Sequence, residues 1–113
     1  MDKLTHYRSL VKKLMTEYAE PMRRQSQDDV ETSTVFDDSS NQYMLVSIGW
    51  KNGHRIRATT IHVRLHSQKI WIEEDWTEEG FATALLNAGV PADDIVLGFH
   101  SPTKRRLTEF AVA

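Results

Sequence analysis

The residues most able to do chemistry in this sequence are its histidines, one His-Ser pair and several adjacent carboxylates. His62 and His66 flank Arg64 within an alternating run. On a strand they stand about 13 Å apart, too far to share one metal ion. His6, His54 and His100 lie in separate segments. His100 and Ser101 are neighbours in sequence, which is not the geometry of a nucleophile and its base. Asp37-Asp38, Glu73-Glu74 and Asp93-Asp94 are carboxylate pairs at turn and helix-start positions, where capping and solvation account for them. The five glycines form no phosphate loop or nucleotide fingerprint, and no G-x-S-x-G elbow is present. The sequence therefore predicts no catalytic residue, no cofactor site and no metal site.

The elements around those residues follow from periodicity. Leu4, Tyr7, Val11, Leu14, Met15 and Tyr18 fall on one helical stripe, with Asp2 as N-cap, Arg8, Lys12 and Lys13 toward solvent, and Pro21 as the stop. Met22 to Gln27 reads as a linker. Val30 to Phe36 alternates as a first strand, and Asp37 to Asn41 makes a turn. Tyr43 to Trp50 is a second strand, with Met44, Val46, Ile48 and Trp50 sharing a face and Trp50 expected in or near the core. Asn52-Gly53 suits a type I′ hairpin.

In the third strand, His54 to Leu65, the apolar parity changes between Ala58 and Ile61. A bulge near Thr59-Thr60 keeps both apolar groups on one face. Lys69 to Glu73 is a fourth strand, in which Trp71 has the parity opposite to Ile70 and Ile72. Trp71 is thus expected outside the main core, at an interface or beneath a tail. A second helix is expected to begin near Asp75 to Thr77, with Asp75 and Glu78 as a capping box or Thr77 as the alternative cap, covered at its start by Trp76, burying Phe81, Leu85 and Ala88 and ending at Gly89. Ile95 to Phe99 is a short strand or extended segment. The tail turns basic at Lys104-Arg105-Arg106 and apolar at Phe110 and Val112. It either folds back on its own sheet or docks elsewhere. The expected fold is α+β: an N-terminal helix, a four-stranded antiparallel meander, a second helix and a short C-terminal strand or extended tail.

Composition sets the outer bounds. The 113 residues, 40% hydrophobic and 27% charged, fit one domain (1–113) with a core of its own. There is no cysteine, so disulfides and thiolate chemistry are excluded. No apolar run reaches the length of a membrane span and no signal-peptide core opens the chain, which gives the expectation of a cytoplasmic protein that does not enter membranes. The net charge of −2 hides sorting. Lys51 to Lys69 carries five basic residues and no acid, Asp28 to Asp38 five acids and no base, and Glu73 to Asp94 seven acids and no base. Separated fields of this kind suit a protein partner, whereas phosphate-dependent binding usually needs an overall basic excess.

The run Ala88-Gly89-Val90-Pro91-Ala92-Asp93-Asp94-Ile95-Val96-Leu97-Gly98-Phe99-His100-Ser101-Pro102, with Lys104-Arg105 and Thr108-Glu109-Phe110-Ala111-Val112, resembles the C-terminal signature of XisI-like proteins. Met1-Asp2-Lys3-Leu4, His6-Tyr7-Arg8, Gly49-Trp50 and Lys69-Ile70-Trp71-Ile72 extend the resemblance along the chain. It implies a controlling factor for excision of the fdxN DNA element, working with a separate recombinase and beside an XisH-type, nuclease-like protein. The expectation is a non-enzymatic accessory factor that binds such a partner, alone or as a homodimer, and meets nucleic acid indirectly or weakly. Trp71, Gly98, Phe99, His100, Ser101, Pro102, Lys104, Arg105, Phe110 and Val112 are the candidate partner interface. The alternative is a direct DNA-binding module using Arg55, Arg57, Arg64, Lys104, Arg105 and Arg106.

Overall fold

The computed structural model describes residues 2–25 and 29–113. Helix α1 (Lys3–Gln25) is followed by strands β1 (Asp29–Asp37), β2 (Gln42–Lys51), β3 (His54–His66) and β4 (Lys69–Asp75). Then come α2 (Phe81–Asn87), a 3-10 turn (Ala92–Asp94), β5 (Ile95–Leu97) and α3 (Pro102–Arg105). The strands form one sheet in the order β1-β2-β3-β4-β5. The first four pair antiparallel, and β5 joins β4 in parallel, Ile70 to Ile95 and Ile72 to Leu97. The sheet is thus five-stranded and mixed rather than a four-stranded antiparallel meander. A β4-α2-β5 crossover returns the chain in the same direction, and three buried residues suffice for the added strand.

The hairpins follow local turn chemistry. Asn52 and Gly53 both have positive φ, 50° and 76°, as a type I′ turn requires. Ser67 and Gln68 repeat the arrangement at 53° and 65°. In β3 the register slips opposite Leu45 and Val46, leaving Thr60 unpaired. This is the expected bulge: Ile56 and Ala58, opposite Gly49 and Ser47, share the face of Ile61 and Val63.

Both main helices cover that face. Tyr7, Val11, Met15 and Ala19 form the buried stripe of α1, and the Tyr18 and Phe81 rings meet at 6.0 Å where α1 approaches α2. Tyr43, Leu45, Ile61, Val63, Ile70, Ile72, Leu85, Ile95 and Leu97 complete the core. The face of β2 that packs inward is therefore Tyr43, Leu45 and Ser47. Met44, Val46, Ile48 and Trp50 point to the other side, and Trp50 is 53% exposed rather than part of the core. Two apolar faces compete in β2, and the buried Thr32–Ser47 hydroxyl pair (3.1 Å) shows that polar residues can win the inner one when they pair.

Other boundaries differ from expectation for identifiable reasons. Asp2 does cap α1, accepting from the Thr5 N–H at 2.7 Å. Pro21, however, does not end the helix. It removes one N–H, but Ala19 is buried, Met22 packs on the core, and Arg23 Nε donates to the Thr32 carbonyl at 3.0 Å. Met22 to Gln25 are therefore helical instead of linker, while Ser26 and Gln27 lie outside the described residues. Arg8 and Lys12 turn toward the β1–β2 loop, not solvent. Arg8 Nη2 donates to Asn41 (2.8 Å) and Lys12 Nζ pairs with Asp38 (2.8 Å). Lys12 and the Tyr43 hydroxyl, both bonded to Asp38, hold its carboxyl below the usual range.

Helix α2 begins six residues after Asp75, because Asp75 caps through space. Its carboxylate accepts from Phe81 N–H (2.6 Å), Thr77 N–H (2.9 Å) and the Thr77 hydroxyl (2.6 Å), so Glu78 plays no capping-box role. The helix closes with the Val90 N–H to Leu85 carbonyl and Gly89 N–H to Leu86 carbonyl bonds of a Schellman end. Ala88 sits at that end and is exposed, whereas Val90 takes the buried position. Trp76 is 76% exposed and covers nothing, its indole N–H donating to Glu74 at 2.7 Å.

Asp94 ties α1 to the 3-10 turn. It accepts from the Tyr7 hydroxyl and pairs with Lys3 Nζ at 3.0 Å. Burial pushes its carboxyl up, but the Tyr7 and Lys3 contacts outweigh burial and leave it below the ordinary 3.8. Burial and Asp94 also push the Tyr7 phenol well above its ordinary value near 10. A depressed acid stabilises the fold above its unfolded value, and that contribution disappears as pH falls below about 3.8 toward the folded value. A raised phenol contributes below pH 10 and loses that contribution as pH climbs above it. Denaturant midpoints against pH are expected to decline on both flanks, and Asp94→Asn should remove the Asp94 part of the acid limb. An unchanged acid limb in that variant would show that Asp94 does not contribute.

Candidate protein-interaction surface

The face of the sheet turned away from α1 and α2 carries Trp71 and its cationic neighbours. On β4, Trp71 stands on this side, opposite Arg64 of β3 and Val96 of β5. Arg64 places its guanidinium 5.0 Å from the Trp71 ring centroid and Arg105 places its own 5.2 Å away, so the indole is contacted by two cations. His66 adds an edge contact at 5.7 Å, and the Trp71 indole N–H donates to the His66 carbonyl at 3.2 Å. Trp71 is half-buried, outside the core and beneath the C-terminal segment.

The tail builds this surface by folding back. Ser101 caps α3, its hydroxyl accepting from the Lys104 N–H at 3.4 Å, and Pro102 occupies the first turn. Arg105 then gathers three carbonyls. Its Nε reaches His100 (2.9 Å) and Leu97 (3.3 Å), and Nη1 reaches Val112 (3.0 Å). Ala111 bridges Val96, its N–H donating to the Ile95 carbonyl at 2.9 Å, and Phe110 packs on the core. Between docking elsewhere and folding home, the tail folds home, as a short helix and a bridge instead of an extended segment.

Gly98 fits because its neighbours are so close. A Cβ there would meet the Glu73 carboxylate at 2.1 Å and the Ile72 carbonyl at 3.1 Å. Glu73 occupies a second bulge, where β3 pairing passes from Ile72 to Glu74, and its Oε1 lies 3.6 Å from Arg64 Nε. Crowding of this sort, chiefly by the Glu73 side chain, had no signal in the sequence beyond the presence of the glycine.

Arg105 brings Trp71, His100 and Val112 together, in part through main-chain atoms, with Gly98 beside them against Glu73, while Phe110 packs on the core instead. Ser101 and Pro102 serve α3, while the Phe99 ring, 49% exposed, lies tilted against the His100 ring at 4.5 Å. Leu107, 86% exposed beside Lys104 and Arg106, is a surface residue that sequence reasoning missed. The six candidate basic residues do not form one patch. Arg55 and Arg57 project from the far end of β3, Arg64 is paired with Glu73, and Arg105 is committed to the tail. Among the described residues no three His, Asp or Glu converge as metal ligands, and no helix is long and apolar enough to cross a membrane.

Fold and surface together define a small α+β domain with helices on one sheet face and a C-terminal cap built over part of the other. The chain belongs to the XisI family: the family model, XisI protein, matches residues 1–112. It is similar in structure to a XisI-like protein from Anabaena variabilis ATCC 29413, with TM-score 0.90 and 39% identity over 97% of this chain and 99% of that one. It is also similar to the fdxN element excision controlling factor XisI from the same organism, with TM-score 0.84 and 38% identity over 99% and 100% of the two chains. The curated proteins contain no match.

Proposed function

We propose that this chain is a non-enzymatic factor controlling excision of a DNA element, and that it acts by binding an XisH-type protein through its C-terminal cap. Full-length membership of the XisI family supports the excision role. The cap carries the rest of the reading: Arg105 holds a segment in place that leaves Phe99, Leu107 and Val112 uncovered beside Lys104 and Arg106. Exposed apolar side chains on a fixed frame, rimmed by cations, suit an acidic-rimmed apolar protein surface. They suit DNA less well, because Asp29 and Glu31 share the sheet face of Arg55 and Arg57 and would repel phosphates there.

Co-expression with the XisH-type protein, followed by affinity capture and size-exclusion chromatography, tests this. A stable complex is expected, weakened about tenfold or more by Leu107→Glu or Phe99→Glu, each at an exposed side chain. Absence of co-migration at both low and high salt would overturn the proposal.

A further inference from the structure

The outer face of β1–β3 is covered by no described element, and its side chains sort by strand. On β1, Asp29 and Glu31 point outward; on β2, Trp50, Ile48, Val46 and Met44; on β3, Arg55, Arg57, Thr59 and His62. The register aligns them in rows. Asp29, Trp50 and Arg55 form one row, Glu31, Ile48 and Arg57 the next. Each of these rows reads acid, apolar, base. Trp50 and Ile48, at 53% and 46% exposed, form the apolar centre, with the Arg55 guanidinium 5.5 Å from the Trp50 ring.

β4 stops at Asp75, which pairs with Ile61, so the β2–β3 hairpin extends beyond β4 and β5. The radius of gyration is 14.8 Å, against about 13 Å for a compact chain of this length.

We infer that this face joins two copies of the chain, sheet against sheet, about a two-fold axis running along β2. Rotation about that axis exchanges left and right within a row while keeping each row at its own level. Glu31 then lies over Arg57 of the second copy, Asp29 over Arg55 of the second copy, and Ile48 and Trp50 over their own counterparts. A two-fold axis across the strands would set acid on acid and base on base, which is unfavourable. A row that is complementary to its own reversal favours a second copy over an unrelated partner. The three strands offer a flat area about 30 Å long and 15 Å wide, below the ~800 Å² per partner of a standard interface. The dimer is therefore expected to be weak, dissociating at micromolar concentrations and loosening with salt.

The inference concerns the chain alone and does not depend on the C-terminal contact, so either reading can fail without the other. Sedimentation equilibrium over a concentration series is expected to show a monomer–dimer equilibrium. Ile48→Glu should raise its dissociation constant at least about tenfold. Glu31→Arg and Arg57→Glu should each weaken it, and the double variant should recover it, because each new charge then meets its opposite on the second copy. Circular dichroism and thermal melts of each variant confirm the fold, and Leu107→Glu should leave the equilibrium unchanged. A wild-type monomer up to sub-millimolar concentration would overturn the inference. So would a double swap no tighter than the single ones.

Discussion

Replacing Arg105 with alanine is expected to release the C-terminal cap while leaving β1–β3 folded. Arg105 donates to the carbonyls of Leu97, His100 and Val112 and lies over Trp71. Charge-assisted bonds are each worth about 1.5–3 kcal/mol, less for the exposed Val112 contact than for the part-buried Leu97 and His100 ones, and part of that returns when the freed carbonyls reach water. The expected loss is about 2–4 kcal/mol, concentrated in residues 98–113. Hydrogen exchange measures it directly: the Ala111 and Gly98 amides, bonded to Ile95 and Ile72, should lose protection while those of Leu45 and Val46 keep theirs. Trp71 fluorescence should shift toward that of a solvated indole. Lysine should not rescue, because a point charge cannot serve three carbonyls in a fork. Retained protection at Ala111 would show that Arg105 is not what holds the cap.

Gly49→Ala should have an effect of similar or larger size at the opposite end of the sheet. An ideal Cβ at Gly49 would stand 1.8 Å from the Asp29 carbonyl oxygen and 2.7 Å from the Val30 Cα. Both are main-chain atoms of the paired strand, so no side chain can move aside to relieve the contact. The beginning of β1 must separate from β2, at a cost of about 3 kcal/mol or more. Urea denaturation should show the lower midpoint, and faster exchange should appear in β1 but not at β4–β5. A variant as stable as wild type would mean that the strands pass each other less closely than 1.8 Å implies.

These two positions show how legibility was divided. Turn chemistry was readable at Asn52-Gly53, a pair that tolerates the positive φ a type I′ turn requires, and both residues adopt it. The bulge at Thr60 was readable because the apolar parity broke there. The alternation of Trp71 against Ile70 and Ile72 placed it outside the core, and the structure decides between the interface and the tail by laying Arg105 over its ring. Where two solutions satisfied the same pattern, tertiary packing decided. β2 carries an apolar residue on both sides for most of its length, so Trp50 could not be assigned from alternation alone. Pro21 and Asp75 misled because their consequences were decided at a distance. Met22 and Arg23 gain contacts that outweigh one lost N–H, and the Asp75 carboxylate reaches an amide six residues away. The Arg105 pin was hidden for the same reason, since its partners are carbonyls and every residue has one.

The early end of β4 has a consequence for how the protein stays dispersed. Beyond Ile61, β3 has no described strand beside it. Its contact on that side is the bond from Trp76 N–H to the Thr60 carbonyl. An unpaired edge of this length is a template for runaway strand addition between molecules. The chain carries the usual safeguards at that spot: Arg55 and Arg57 charge the edge, the extra residue at Thr60 breaks its regular spacing, and the Asn52-Gly53 turn limits its length. Neutralising both arginines should therefore promote fibrils or precipitation, read by light scattering and thioflavin fluorescence, even where the folded state loses little stability.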